Sequence, residues 1–361
     1  MLLPEVREAL RELPDGNPSS PHAEGRAARA ALDRARDLAA QALGADRTEI
    51  SFTASGTEAV NLALFGAARR LLGAARRVSK RGAIVTWAAE HQSVLGAVRR
   101  LQSEGHTVVV ANVDGNGQAS PDEIPESAAL VSIGLANNEV GTIQPVVAII
   151  ARAHEVGALI HVDACAGPRW TSIPEGADLI SLSGPKLGGS RGGILLVRDG
   201  VRIDPLFYGG PQEWGRRGGR EDVAAATSVA TALSVCVRDR ESRAGVAARQ
   251  AASLRDLLVD MGGVLSGAEN RLPNFATCAF ADRRGEDMLL ALDLAGVAAS
   301  SGSACASGSL DPSHVLLAMG LSLEQALGSL RLTTGYATTD NDIDRAATLI
   351  RSALTRTPAR A

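Results

Sequence analysis

The sequence predicts an α/β protein, a mostly parallel sheet with helices on both faces followed by a smaller α+β domain. In the first half, short apolar or β-branched runs alternate with segments of helical period, as parallel neighbours require, because their connections must cross over. Past the Gly- and Arg-rich stretch Tyr208 to Arg220 the pattern changes to a long helix and a mixed set of shorter elements ending near Leu354. The length, 361 residues, exceeds what one core usually organises, and 45% hydrophobic against 21% charged residues gives a sizeable core. This places a large α/β domain at 12–240 and a small α+β domain at 241–361, with residues 1–11 packed on the small one.

Strands are predicted at 49–53, 83–86, 107–111, 129–136, 158–163, 178–183 and 193–198, each an apolar or β-branched run. Helices are predicted at 22–43, 57–72, 93–103 and 146–156, and the long one at 237–261, from apolar residues recurring at helical spacing. Ligands of such sheets bind at the carboxyl ends of the strands. The residues just past each strand are therefore where chemistry is sought.

Composition narrows the function classes. With 37 basic and 40 acidic side chains the formal charge is -3, which removes the electrostatic case for direct binding to nucleic acid or an anionic membrane. No apolar run is long enough to span a bilayer, and residues 1–13 carry acids and a proline where a signal peptide would be apolar. A soluble, cytoplasmic protein is expected. The cysteines, 165, 236, 278 and 305, show neither metal-type spacing nor the density of a disulfide scaffold.

Lys186 follows the strand at 178–183 directly, in Ser183-Gly-Pro-Lys186. A loop lysine is ordinarily just a solvated charge. This chain uses arginine almost everywhere, however, with Lys80 and Lys186 its two lysines, and lysine can form a Schiff base whereas arginine cannot. His161-Val-Asp163 ends the preceding strand, and residues two apart share a face. No third ligand stands at metal spacing, so no metal is expected. An acid and a lysine on neighbouring strand ends suit pyridoxal phosphate: the amine takes the aldehyde, and the carboxylate keeps the pyridine nitrogen protonated so that the ring accepts electrons.

Other strand ends supply further polar groups. Thr53-Ala-Ser-Gly56-Thr57 opens a helix whose N-terminus could hold an anion, although Ser, Thr and Gly are also ordinary caps. Trp87-Ala-Ala-Glu90-His91 places a histidine that could stack on a planar cofactor or cap a helix. Asn137-Asn138 suits an oxygen-holding pair or a turn. Cys305 sits among Gly, Ser and Ala, the setting of an accessible, reactive thiol rather than a core filler. Arg331 in Ser329-Leu-Arg331 reads as a surface charge or as a bidentate clamp for a carboxylate.

As an ordered set these residues resemble the cysteine desulfurases of the NifS/IscS kind, class V members of the aminotransferase-like pyridoxal-phosphate fold (fold type I). The resemblance rests on Gly16-Asn-Pro-Ser-Ser-Pro-His22, Phe52-Thr-Ala-Ser-Gly-Thr-Glu58, Glu90-His91, Asn137-Asn-Glu-Val-Gly141 with Gln144-Pro145, and His161-Val-Asp163. Ser183-Gly-Pro-Lys186, Ser300-Ser-Gly-Ser-Ala-Cys305 and Ser329-Leu-Arg331 complete it. It implies that Lys186 forms the internal aldimine and shuttles the α-proton of L-cysteine, that Asp163 pairs with the pyridinium, and that His91 stacks on the ring. Gly56, Thr57 and Ser183 would hold the phosphate, Asn138 the cofactor oxygen or substrate carboxylate, and Arg331 that carboxylate. Cys305 would take the substrate sulfur as a persulfide, releasing alanine, for an acceptor protein, in a homodimer.

The chain also departs from the family. Pro185 stands where a phosphate-contacting His is usual, and Ala166 where a Gln would reach the cofactor oxygen. Arg220 replaces a threonine that reaches the partner subunit's phosphate, and is expected to supply the missing charge across a dimer interface. An extended segment with an Asn-Ala-Thr-Thr run, implied ahead of the first helix, is not found in the sequence. Two alternatives stand beside the desulfurase reading: a related lyase or aminotransferase in which Cys305 is incidental, and a catalytically impaired scaffold or regulatory subunit. The residues leave open where the sulfur goes, whether to iron–sulfur cluster assembly, to thiolation of tRNA or cofactors, to DNA phosphorothioation or to biosynthesis.

Overall fold

The chain opens with two helices, α1 (Pro4–Arg11) and α2 (Ala23–Leu43), and enters the sheet at β1 (Ile50–Thr53). The computed structural model describes residues 2–75, 82–302 and 312–356. After β1 come α3 (Gly56–Ala75), β2 (Ala83–Trp87), α4 (Gln92–Ser103), β3 (Val108–Ala111), β4 (Ala128–Gly134), α5 (Val146–Glu155) and β5 (Leu159–Asp163). β6 (Leu179–Ser183), the single turn α6 (Gly184–Leu187) and β7 (Gly193–Val197) complete the first sheet. Each of these strands lies within two residues of its predicted ends.

The strand order is β1-β7-β6-β5-β4-β2-β3. β7 is antiparallel to both its neighbours, and the remaining pairs are parallel. β7 reverses because the few residues after β6 are too short for a crossover. As a result Gly193 lies opposite both Thr53 and Ser183, so the carboxyl ends of β1 and β6 meet at one edge. Alternate strand residues enter two cores. Val85, Val131, Ile160, Ile180 and Ile194 join one with α2 and α5, while Ile84, Leu130, Leu179 and Leu195 join the other with α3 and α4. Burial on both faces is why these strands read as unbroken apolar runs.

α7 (Val223–Asp260) leads to the second sheet. It starts well before the predicted 237, because Asp222 caps Ala225 N–H and the residues after it are a helical repeat of small side chains, with Ala226, Val229, Ala230 and Leu233 buried. Its first half packs on the large sheet, whereas Leu254, Leu257 and Leu258 join a separate core. That core covers an antiparallel sheet of β8 (Val264–Leu265), β9 (Phe275–Ala279) and β10 (Ser329–Thr333), together with α8 (Gly285–Leu294). α9 (His314–Ala318), α10 (Leu323–Leu327) and the final helix α11 (Asp340–Arg356) complete the described chain.

Residues 2–11, the described part of the segment expected at 1–11, depart from expectation. They pack on the large sheet's core, not on the small domain: Leu3 and Val6 are buried there beside the first half of α7, and Leu3 N–H donates to Gly188 O at 2.9 Å. Among the described residues, no helix is long and apolar enough to cross a membrane.

The Gly/Arg-rich stretch before α7 is pinned to β1 by a buried bidentate pair. Arg36 Nη1 and Nη2 donate to Glu213 at 2.7 and 2.8 Å, and Phe52 N–H donates to Glu213 Oε2 at 2.9 Å. The guanidinium lies over the rings of Phe52 and Trp214. Arg36 Nη1 also donates to Ile50 O at 2.6 Å, and these added hydrogen bonds offset part of the cost of burying the ion pair.

Candidate active site

The carboxyl ends of β2, β4, β5 and β6 frame one cleft, lined among others by Glu90, His91, Asn138, Asp163, Cys165 and Lys186. Lys186 is exposed on the turn α6, which Pro185 opens and Gly188, at φ 89°, closes. Asp163 is the buried last residue of β5, and its Oδ1 accepts from Cys165 N–H at 2.9 Å and from Ser181 Oγ at 3.3 Å. The lysine and acid expected on neighbouring strand ends therefore share one cleft.

His91 meets both of its sequence readings. As the cap of α4, its Nδ1 accepts from Ser93 N–H at 3.1 Å, which leaves the neutral ring's proton on Nε2. Burial, and next the charge of Lys186, hold its pKa below the ordinary value, against the opposing pull of Asp163. The ring is thus neutral at neutral pH.

Gly56, Thr57 and Ser183 converge beside the cleft. Ser55 Oγ caps α3 by accepting from Glu58 N–H at 3.1 Å, and the first-turn N–H groups of a helix suit an anion. Gly56 is needed for close approach: a Cβ there would lie 2.5 Å from Cys165 Sγ and 2.9 Å from Ser183 Cβ. Thr57 is exposed beside it. Asn137 forms the turn, with Nδ2 donating to Ala89 O and Oδ1 accepting from Glu139 and Val140 N–H, while Asn138 lines the cleft. Arg331 reaches across from the small sheet to donate to Asn138 O at 2.6 Å.

Cys305 lies outside the described residues, as does Lys80. The chain on either side of 303–311 sits at the site. Ser300 and Arg331 exchange backbone hydrogen bonds, Ser313 Oγ donates to Glu139, and His314 Nε2 donates to Glu90 O at 2.9 Å. Arg220 does not line the cleft. It is exposed, and its Nη2 donates to Gly16 O at 2.9 Å.

Two residues were given no role by sequence reasoning. Cys165 is a buried thiol whose pKa is pushed well above its ordinary value, first by burial and next by Asp163, so it is no ready nucleophile. Glu90, buried, accepts from Gly134 N–H at 3.1 Å. Burial pushes its carboxyl up to about 8, opposed by that hydrogen bond and aided by the charge of Asp163. Both residues follow strands that were already identified, and that position was the available signal.

Glu90 therefore carries a proton at neutral pH that the unfolded chain releases. The stability linked to it is complete below about 4.5 and is lost as the pH rises towards about 8, at up to about 1.4 kcal/mol per pH unit. Glu90→Gln is expected to melt progressively higher relative to the parent between pH 5 and pH 8. Parallel pH profiles in thermal denaturation would show that the carboxyl ionises normally.

Residues 2–346 match the family model for aminotransferase class-V. A cysteine desulfurase IscS of Dictyoglomus turgidum is 37% identical over 94% of this chain and 88% of its own length. An IscS-like cysteine desulfurase of Mycobacterium tuberculosis is 39% identical over 94% and 90%. A solved structure titled NifS-like protein superposes with a TM-score of 0.89 at 29% identity, covering 98% of this chain and 96% of that one. The chain belongs to the class-V aminotransferase family, with the fold of the pyridoxal-phosphate enzymes of fold type I. Within that family it is a cysteine desulfurase of the NifS/IscS kind.

Proposed function

We propose that the chain holds pyridoxal phosphate at Lys186, removes the sulfur of L-cysteine to leave alanine, and passes that sulfur through Cys305 to an acceptor protein, working as a homodimer. The observation that carries this reading is the placement of Lys186, Asp163 and neutral His91 in one cleft, with the helix N-terminus at Gly56 packed against Cys165 of its lining. Gly56 packs directly on Cys165 and Ser183, and the N–H groups of the helix N-terminus that starts there suit a phosphate. When bound, the cofactor supplies the electron sink that makes an amino acid's α-proton removable.

The rest falls to the chain's own residues. Lys186 would anchor the cofactor aldehyde and move the substrate's α-proton. Asp163 would pair with the ring nitrogen, and Gly56, Thr57 and Ser183 would hold the phosphate. His91 would lie against the ring, with Nε2–H available as a proton donor. Asn138 and Arg331, already joined to each other, orient the substrate carboxylate. The Cys305 thiolate attacks the substrate sulfur, so an S–S bond forms as the Cβ–S bond breaks. The electron pair left on carbon takes a proton to give alanine.

Arg220 contributes positive charge to the partner subunit's phosphate, in place of the donor that Pro185 lacks. Arg220→Ala is expected to weaken cofactor retention by about tenfold, the size of one charge-assisted hydrogen bond. Unchanged retention in equilibrium dialysis would remove Arg220 from the site. The main reaction is tested by supplying L-cysteine and a thiol reductant: alanine and sulfide are expected in equal amounts, whereas pyruvate and ammonia would assign the chain to the lyases.

A further inference from the structure

Asp163 is backed by a chain of buried side chains that the reaction above does not use. Ser132 on β4 lies opposite His161 on β5, and Ser181 on β6 lies opposite Asp163. Ser132, His161 and Ser181 are fully buried. Ser132 Oγ is 2.9 Å from His161 Nδ1, His161 Nε2 is 3.1 Å from Ser181 Oγ, and Ser181 Oγ is 3.3 Å from Asp163 Oδ1. The donor directions follow from elementary chemistry. A carboxylate accepts and does not donate, so the one Ser181 proton goes to Asp163. Ser181 Oγ must then accept from His161 Nε2–H, and Nδ1, without a proton, accepts from Ser132. The histidine is neutral, since burial holds its pKa down to about 4.

We propose that Ser132, His161 and Ser181 are positioning residues for the cofactor site: they lock the Asp163 carboxylate in one orientation through Oδ1 and leave Oδ2 for the cofactor's ring nitrogen. The backbone N–H of Cys165, also on Oδ1, fixes the same oxygen. Hydrogen bonds on Oδ1 disperse its charge, so the shared proton stays on the ring nitrogen rather than moving to the acid. This rests on the reading that Asp163 meets that nitrogen.

The full-length apoprotein can be titrated with pyridoxal phosphate, following affinity and the pH midpoint of the visible absorption band. Ser181→Ala is expected to bind about tenfold more weakly, the loss of one hydrogen bond to a charged group, with a displaced midpoint. Ser181→Thr, which keeps the hydroxyl, is expected to restore both. Asp163→Asn separates the two layers of the argument. If it weakens binding while Ser181→Ala matches the parent, the positioning role is wrong and the Asp163 reading stands. If both bind like the parent, the reading of Asp163 fails as well. Should Ser181→Ala not fold, 15N-histidine NMR of the parent decides: His161 protonated at Nε2 alone supports the assignment, and a proton on Nδ1 overturns it.

Discussion

Lys186→Ala is expected to abolish turnover of L-cysteine, by at least about a thousandfold, since one group both anchors the cofactor and moves the proton. The substitution touches little else. Lys186 is exposed on a turn whose geometry comes from Pro185 and Gly188, so the fold and its melting temperature are expected to persist. The chain has two lysines, and Lys186 lines the cleft, so the labelled peptide identifies the anchoring residue directly. Borohydride reduction of the parent protein should fix a pyridoxyl label on the peptide carrying residue 186 and bleach the visible band. A label found only on Lys80, or no label at all, would refute the assignment.

Cys305→Ser is expected to leave the visible band and the cofactor affinity intact while abolishing sulfide release, again by about a thousandfold or more. Serine preserves size but offers a hydroxyl that cannot form the S–S bond on which transfer depends. The two variants therefore fail at different stages, one before cofactor attachment and one after it. Mass spectrometry of the parent after brief exposure to L-cysteine should show one extra sulfur on the peptide containing 305. Persistence of alanine formation in Cys305→Ser would make that thiol incidental. The buried Cys165 is no substitute, because its thiol resists ionisation beside Asp163.

The sheet was legible because strands buried on both faces carry apolar runs that need no knowledge of their neighbours, as in Ala83–Trp87 and Gly193–Val197. The candidate site was legible for a related reason: parallel topology brings strand ends to one edge, so Lys186, Asp163, His91 and Asn138 could be grouped from their positions in the chain. The first half of α7 was obscured by small residues, whose helical repeat resembles loop composition. Residues 1–11 were misplaced because Leu3 and Val6 announce an apolar face without naming what covers it. Glu90 and Cys165 gained their character from desolvation, and burial beside Asp163 is a property of the assembled sheet. Arg220 illustrates the same gap, since its hydrogen bond to Gly16 joins segments remote in sequence.

The reversed strand β7 has a consequence for biogenesis. Thr53 and Ser183 reach the same glycine only because β7 runs backwards between β1 and β6. The phosphate seat proposed above joins residues remote in sequence, so it is complete only once β6 and β7 have been synthesised and have paired with β1.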